Sequence, residues 1–322
     1  MKTLLQDLFS AIIMGFVLPA CLLIGTVTLR KQDAVQHDSP AVTQSAETPA
    51  PSFFIGRRLN SGDVIQEPLE TYLVGVVLAE MPGEFEPEAL KAQAVAARTY
   101  ALKADTTGGK HGDGSICSNS SCCQAYISPE DYRKLGGTED TLEKISLAVR
   151  DTAGLVLTYG GELIEATYFS CSGGTTEDAE AVWGSHFPYL VSVSSPGEEG
   201  SDHYSETVRF TAEEIQAALG ITLEEDTDTW LGMTAYTNGG GVDFMIIGDR
   251  QFTGTQLRSL LGLHSTAFSA DVQEDEIVIT TRGYGHRVGM SQYGADAMAV
   301  LGHTYDQILA HYYPGTALTN LE

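Results

Sequence analysis

The chain is short of basic residues. It has 18 Lys and Arg against 43 Asp and Glu among 322 residues, which gives a formal net charge of −25. Such a charge repels the phosphates of nucleic acid and so argues against DNA or RNA binding. The chain also lacks the basic excess that would favour anionic lipid. A neutral or already stripped polysaccharide suits this charge better than a phosphate polymer does.

Cysteine is scarce as well, with five in the whole chain. Cys171, in "YFSCSGG", raises the question of a nucleophile paired with His186 or His203. The segment has none of the G-x-S-x-G pattern that presents a nucleophile on a sharp turn. A small, half-buried residue at a strand end is the better interpretation of Cys171.

Long hydrophobic runs are limited to one, at residues 8–29, which carries no charge and is about long enough to span a bilayer. We predict an uncleaved single-pass membrane anchor at residues 1–30. The alternative is a cleaved signal peptide, although a clear small-x-small cleavage site is missing. Residues 31–52 are polar and rich in Ser, Thr, Gln and Pro, which predicts a flexible linker. A folded domain is expected at residues 53–322.

The folded part alternates helical and strand patterns without a repeated strand–helix–strand rhythm, which favours a mixed α+β fold with antiparallel strands. Residues 154–169 illustrate the strand pattern. Two β-rich runs are joined there by Gly160-Gly161, a sequence typical of a tight hairpin turn.

One glutamate interrupts an apolar pattern. Residues 67–82 predict an amphipathic helix that Pro82 ends, and Glu80 is the next position on its apolar stripe. A carboxyl group there loses hydration, which raises its pKa and keeps a proton available for general acid catalysis. The alternative is a solvated Glu at a frayed helix end. The stripe consists of Leu69, Tyr72, Leu73, Val76 and Val77.

A second helix is predicted to begin at Pro87, a residue tolerated in a first turn. Arg98 lies on or beside its small-residue face. An arginine there requires an anionic partner or a polar ligand, unless it extends outward to solvent. Glu84, Glu86 and Glu88 lie in the turn and at the helix start, and we interpret them as solvated caps rather than a second catalytic acid.

Histidine and cysteine cluster in "KHGDGSICSNSSCCQAY", residues 110–126. The spacing of Cys117 and Cys122, with flexible Gly and Ser between the candidates, fits a zinc chelate. The alternative is a disulfide from Cys117 to Cys122 or Cys123. Four clustered candidates indicate a closed structural site rather than a catalytic zinc, so no cofactor is expected for catalysis. The candidate ligands are His111, Cys117, Cys122 and Cys123.

Residues 276–295 predict a strand, a glycine-punctuated loop and a helix. Glycines in that loop allow close backbone approach to a ligand. The loop and helix start also supply aromatic faces and hydrogen-bonding groups that suit a sugar, although a tight turn that only fills space would share the pattern. The candidate substrate-binding residues here are Tyr284, His286, Ser291, Gln292 and Tyr293. We expect Glu80 at the base of a substrate groove, with this block in its wall.

Four blocks, in order, resemble the stage II sporulation protein D family of spore-forming bacteria. They are "LETYLVGVVLAEMPGEFEPEALKAQAVAARTYAL" (69–102), "ATYFSCSGGTTEDAEAVWG" (166–184), "LRSLLGLHSTAF" (257–268) and "GYGHRVGMSQYGADAMAVLGHTYDQILAHYYPGT" (283–316).

The resemblance implies a membrane-anchored lytic transglycosylase that cuts peptidoglycan during forespore engulfment, with its catalytic domain outside the cytoplasm. It assigns the catalytic acid to Glu80 and a role in activity to Arg98, which we expect to bind substrate. It also implies that some members bind zinc in this insertion through two His and two Cys, so Cys122 would replace a His. The family usually has "GHGVGMSQ", where Arg287 replaces a glycine.

Further expectations follow from the resemblance. The substrate would be glycan strands whose stem peptides have been removed, and the partners would be a cell-wall amidase and other engulfment membrane proteins. A non-catalytic glycan-binding activator or scaffold for an amidase is the alternative function. A zinc amidase centred on His111 is a weaker third hypothesis.

Overall fold

A computed structural model describes residues 53–321 of the chain. The predicted membrane anchor (residues 1–30) and linker (residues 31–52) lie outside the described residues. Between residues 53 and 321, no helix combines the length and the hydropathy that a bilayer span requires.

Helices make up much of the described chain. The nine α-helices of residues 53–321 are α1 (Leu69–Glu80), α2 (Pro87–Thr107), α3 (Pro129–Lys134), α4 (Glu139–Asp151), α5 (Ala179–Trp183), α6 (Ala212–Leu219), α7 (Gly254–Leu261), α8 (Gln292–Val300) and α9 (Tyr305–Tyr312). A short 3-10 helix covers Thr227–Thr229.

Strands connect and flank these helices. They are β1 (Phe54–Arg58), β2 (Val64–Pro68), β3 (Ile116–Cys117), β4 (Leu155–Tyr159), β5 (Glu162–Leu163), β6 (Tyr168–Phe169), β7 (Ser205–Thr211), β8 (Leu231–Tyr236), β9 (Val242–Ile247), β10 (Arg250–Thr253), β11 (Phe268–Gln273), β12 (Glu276–Arg282), β13 (Met290–Ser291) and β14 (Ala317–Asn320).

The predicted α+β class is confirmed, and most strand pairs are antiparallel. The hairpin turn at Gly160-Gly161 is also confirmed, since both glycines have positive φ as a type I′ turn requires. Two parallel pairs depart from the expectation: β1 with β3, and β6 with β13. Each pairs only two residues from segments far apart in sequence, which periodicity along the chain cannot predict.

The main hydrophobic core forms around α2. The apolar stripe of α1 is buried as predicted, and α2 buries the alanines of its small-residue face at Ala94, Ala97 and Ala101. Small side chains allow close approach of neighbouring helices, and α2 packs against α1, α4, α8 and α9. A second hydrophobic cluster is built from β7 to β12 with α6 and α7.

Arg98 joins four elements of the main core. Its Nε donates to Glu70 Oε1 at 2.9 Å and its Nη2 to Glu70 Oε2 at 2.6 Å, which forms a bidentate ion pair with the first turn of α1. The same guanidinium donates to the carbonyls of Val149 (3.2 Å) and Leu155 (3.1 Å), in α4 and β4. Its side chain is fully buried. The expectation that Arg98 needs an anionic partner is thus confirmed, and that partner is Glu70.

Replacement of Arg98 should therefore destabilise the fold. Arg98→Ala removes the ion pair and the hydrogen bonds that Arg98 donates to the carbonyls of Val149 and Leu155. Breaking a buried pair costs about 3–5 kcal/mol, and we expect about 3 kcal/mol here because Glu70 can regain water. Urea unfolding of the variant and the wild type measures this difference. Arg150→Ala is the control, since the Arg150 side chain is 71% exposed. Equal stability of the two variants would contradict this role.

Candidate active site

Glu80 is the last residue of α1, as predicted, and lies between a loop and the start of α8. The backbone N–H of Ala125 donates to Glu80 Oε1 at 2.6 Å. On the other side, Nε2 of Gln292 donates to Glu80 Oε2 at 3.4 Å. The first donor belongs to the Cys- and His-bearing loop and the second to the start of α8. The carboxyl group is therefore fixed by two segments that are distant in sequence.

Burial raises the pKa of the Glu80 carboxyl above its ordinary value, and the hydrogen bonds from Ala125 and Gln292 offset only part of that rise. The side chain is only partly buried, so a proton can still be exchanged with a bound molecule. The pattern-based expectation of a raised pKa is confirmed, and the alternative of a fully solvated helix end is not.

A buried polar network fixes the residue before Ala125. Gln124 Oε1 accepts from Tyr72 Oη at 3.0 Å, and its Nε2 donates to Tyr168 Oη at 2.8 Å and to the Ala97 carbonyl at 3.3 Å. Burial raises the pKa of both tyrosines well above the usual value, and the charge of Glu80 adds to this effect, so both stay neutral. Gln124 was missed by the sequence-based prediction, because a single glutamine beside the cysteines carries no pattern.

Four side-chain rings follow one another in a row that begins at Tyr293, the residue after Gln292. In order they are Tyr293, His203, Tyr284 and His264, and we call them the aromatic row. Ring centroids of His203 lie 6.2 Å from Tyr293 and 4.7 Å from Tyr284, and the His264 ring lies 4.6 Å from Tyr284. Tyr284 is 40% exposed. Tyr284 and Tyr293 were predicted as substrate-binding residues. His203 and His264 were not, because they lie in separate segments that meet the two tyrosines only in the folded structure.

His286 lies apart from the aromatic row, between the rings of Phe169 (5.6 Å) and Trp183 (5.3 Å). Burial lowers the pKa of its imidazole to about 4, and the positive charges of Arg258 and Lys110 contribute. The ring is therefore neutral near pH 7. Because the Val288 N–H donates to Nδ1 at 3.1 Å, the proton of the neutral ring resides on Nε2.

Ser291 requires a correction. It was predicted to bind substrate, but it is fully buried. Its hydroxyl donates to Glu198 Oε1 at 2.6 Å and accepts from the Gly294 N–H at 3.2 Å, so it caps α8. Its role in this structure is to fix the start of the helix that carries Gln292 and Tyr293.

The partner of Ser291, Glu198, is a buried carboxylate that joins three loops. Its two oxygens accept six hydrogen bonds, and no sequence pattern indicated this role. The donors are Cys171 Sγ (3.3 Å), Ser172 N (2.8 Å), Ser172 Oγ (2.8 Å), Gly173 N (2.9 Å), Ser195 Oγ (2.7 Å) and Ser291 Oγ (2.6 Å).

Cys171 is fully buried, and burial, followed by the Glu198 charge, raises the pKa of its thiol to about 12. A thiol in that state is a poor nucleophile. The interpretation as a small structural residue is supported, although its burial is complete rather than partial.

Arg98 was also predicted to bind substrate, and the structure corrects this. Its partner Glu70 is at the opposite end of α1 from Glu80, about 15 Å away at a rise of 1.5 Å per residue. With no exposed side-chain surface, Arg98 cannot contact a glycan at Glu80. The small-residue face of α2 indicated that Arg98 needs an anionic partner, but not which residue supplies the negative charge.

Arg287, at the position where the family usually has glycine, is buried and adopts a φ of 63°. Its guanidinium donates to the carbonyls of Ser172 (2.9 Å), Thr175 (2.6 Å) and Gly239 (2.7 Å). It also lies 3.7 Å from the Glu177 carboxylate. The side chain thus ties the loop to neighbouring backbone and does not line the surface at Glu80.

The four predicted metal ligands lie together. One ligand atom from each of His111, Cys117, Cys122 and Cys123 falls within 4.8 Å of the others. The sulfurs of Cys122 and Cys123 are 3.8 Å apart, and the His111 Nε2 is 3.8 Å and 3.5 Å from them. Tetrahedral zinc with Zn–S bonds of about 2.3 Å places two thiolates about 3.8 Å apart, so the donor set and its spacing fit this metal.

The cysteines of this cluster are free thiols in the structure rather than a disulfide. Burial opposes ionisation of Cys117. Even so, hydrogen bonds from the Asn119 backbone and from His111, Cys122 and Cys123 lower the pKa of its thiol to about 7, which favours the thiolate that metals bind. Cys123 is two residues before Ala125, the donor to Glu80.

These observations define the class: an α+β protein whose candidate site has a single partly buried acid, a loop and a helix start that hold it, and an adjacent row of aromatic rings. A sequence profile of the family described as Stage II sporulation protein matches residues 60–159. The chain is 44% identical over 260 residues to stage II sporulation protein D of Bacillus subtilis (strain 168), covering 79% of this chain and 75% of that protein.

The chain is also 41% identical over 269 residues to stage II sporulation protein D of Bacillus amyloliquefaciens. This alignment covers 82% of this chain and 78% of that protein. The chain belongs to the stage II sporulation protein D family. It is also 29% identical over 304 residues to the amidase enhancer of Bacillus subtilis (strain 168), with 77% of this chain and 40% of that protein covered.

Proposed function

We propose that the chain is a lytic transglycosylase that cleaves peptidoglycan glycan strands with Glu80 as its acid and base. The observation that carries this proposal is the position of Glu80, a partly buried carboxyl of raised pKa that is fixed from both sides. A carboxyl with a raised pKa keeps its proton to higher pH than an ordinary glutamate and can transfer it to a bound sugar.

One acid is sufficient for this reaction. Protonated Glu80 donates its proton to the glycosidic oxygen while the bond from that oxygen to C1 of N-acetylmuramic acid breaks. The resulting carboxylate accepts the proton of the C6 hydroxyl of the same sugar, and the C6 oxygen bonds to C1. The products are a free 4-hydroxyl on the leaving sugar and a 1,6-anhydro end, and no water is consumed.

Nearby carboxyl groups do not compete for this role. Glu84 and Glu86 are exposed in the turn after α1, as predicted. Glu88 pairs with Lys91 at 2.8 Å and accepts from the Tyr305 N–H at 2.8 Å, so it has a structural function. Ordinary glycosidases place two carboxyl groups across the scissile bond, and we assign no second one here.

The names of the relatives indicate the setting. Proteins called stage II sporulation protein D and amidase enhancer suggest a role in the cell wall during sporulation. We propose that the chain acts at the membrane during engulfment, anchored through residues 1–30 with its folded domain outside the cytoplasm. Its substrate would be glycan without stem peptides, and its partners a cell-wall amidase and other engulfment membrane proteins.

A second function is supported by the likeness to the amidase enhancer, whose name describes stimulation rather than glycan cleavage. In that case the chain binds glycan through the surface around Glu80 and the aromatic row. It then activates or recruits an amidase without cutting the strand. The zinc amidase hypothesis is less favoured, because the four candidate ligands form a closed set with no position left for substrate.

We also propose that His111, Cys117, Cys122 and Cys123 hold a structural zinc ion. A bound zinc would fix the loop of residues 110–126. The Ala125 N–H would then stay directed at Glu80, since only Gln124 separates Ala125 from Cys123. Catalysis itself would use no cofactor.

Replacement of the acid should stop product formation. Glu80→Gln keeps the shape of the side chain and removes the proton, so we expect 1,6-anhydro ends to fall at least about 100-fold, the lower range of general acid–base effects. The assay is mass spectrometry after incubation with denuded glycan. Glu84→Gln is the control, since it alters an exposed carboxylate four residues away and should retain activity.

Full activity of Glu80→Gln would remove the acid role. If the wild type produces no anhydro ends but increases glycan binding or turnover by an amidase, the enhancer function replaces the transglycosylase.

The zinc proposal has its own test. Protein purified under reducing conditions should contain one zinc ion per chain, and Cys117→Ser and Cys123→Ser should lose it, as measured by elemental mass spectrometry. Removal of zinc by a chelator should also accelerate hydrogen exchange at the Ala125 amide, a readout independent of activity. Cys171→Ser is the control, because this thiol lies outside the cluster. A zinc content near zero in the wild type would contradict the proposal.

A further inference from the structure

Arg258 is an arginine for which residues 53–321 supply no carboxylate or hydrogen-bonding partner. Most arginines between residues 53 and 321 form an ion pair with a carboxylate; these are Arg57, Arg58, Arg98, Arg133, Arg150, Arg209 and Arg287. Within the same described residues, Arg258 has neither an ion pair nor a side-chain hydrogen bond, although it is partly buried. This is unexpected in a chain with a net charge of −25, where carboxylates are abundant.

The chain that follows Arg258 leads to the aromatic row. It lies in the last turn of α7, and its carbonyl accepts from the N–H groups of Gly262 and Leu263, which end the helix. The chain then reaches His264, whose ring contacts Tyr284 at 4.6 Å and whose carbonyl accepts from the Gly285 N–H at 3.0 Å.

The electrostatic effects agree with this placement. Burial lowers the pKa of Arg258, and the Arg258 charge in turn contributes to the lowered pKa of His286. Glu206, an acidic side chain at the row, lies 3.1 Å from His264 Nδ1 and pairs with that ring. A partly dehydrated cation that no protein carboxylate neutralises is costly to retain, and an anionic ligand would offset that cost.

We propose that Arg258 binds a carboxylate on the glycan, namely the lactyl carboxylate of a muramic acid residue that has lost its stem peptide. This inference rests on the proposed function and names the chemical feature by which the same site selects its substrate. A guanidinium can bind a carboxylate through two parallel hydrogen bonds. The neighbouring Tyr284, 40% exposed, offers a ring face to the sugar that carries it.

The chemistry of the stem peptide makes this contact selective. In an intact strand the lactyl carbonyl is part of an amide, which is neutral and continues into a peptide. Hydrolysis of that amide leaves a small carboxylate anion at the same position on the sugar. An unpaired Arg258 near this row would thus favour stripped glycan by attraction, in addition to any steric exclusion of the peptide.

Calorimetry with the full-length chain tests the proposal. The chain carries Glu80→Gln to prevent turnover, and the two ligands are denuded muramyl oligosaccharides with free lactyl carboxylates and the same oligosaccharides converted to methylamides. Adding Arg258→Gln should weaken binding of the free carboxylates about 10-fold, as expected for a hydrogen bond to a charged group. Binding of the methylamides should not change, and Arg258→Lys should retain part of the preference.

Arg250→Gln is the matched control. Arg250 is an exposed arginine over the ring of Phe252 that also has no ion pair within residues 53–321, and its loss should alter neither affinity. Equal weakening of both ligands by Arg258→Gln, or equal affinity of the parent for both, would overturn the carboxylate contact alone. Absence of binding to either ligand by the parent would overturn the proposed function together with this inference.

Discussion

The hydrogen bond from the Ala125 N–H to the Glu80 carboxyl connects the end of α1 to the loop that carries the His and Cys cluster. Together with the Gln292 amide on the other side, it holds an acid whose hydration has been reduced by burial. The buried hydrogen bonds of Gln124 with Tyr72 and Tyr168 hold this loop against the hydrophobic core. The candidate chemistry depends on this arrangement, because a carboxyl in open solvent would be ionised near pH 7.

Two other buried charges support the site from a distance. Glu198 gathers donors from three loops and, through Ser291, fixes the start of α8, from which Gln292 reaches Glu80. Arg98 binds the opposite end of α1 to α4 and β4. Neither side chain forms a hydrogen bond with Glu80 itself. Both restrict where the acid can lie, and catalytic geometry of this kind tolerates displacements of less than about 1 Å.

The local elements were largely predictable from sequence. The apolar stripe and Pro82 indicated α1 and its end, Pro87 indicated the start of α2, and Gly160-Gly161 indicated a hairpin. Glu80 could be found because it breaks a helical pattern, and that anomaly has a physical meaning at the level of one helix.

What could not be predicted is which distant groups meet. Patterns along the chain indicate that a charge needs a partner but not whether protein or ligand supplies it, so Arg98 and Ser291 were assigned to substrate when Glu70 and Glu198 satisfy them. The approach of His264, three residues after the end of α7, to Tyr284 has the same origin, since these segments are brought together only by the tertiary fold.

The central claim is that Glu80 retains its proton to higher pH than an ordinary glutamate. Carbon-13 NMR of side-chain carboxyl groups, followed through a pH titration and assigned by the signal that Glu80→Gln removes, measures this directly. The account predicts a titration midpoint above the ordinary glutamate value of about 4.3. A midpoint at or below that value would contradict it, because the carboxyl would then be ionised at working pH with no proton for the glycosidic oxygen.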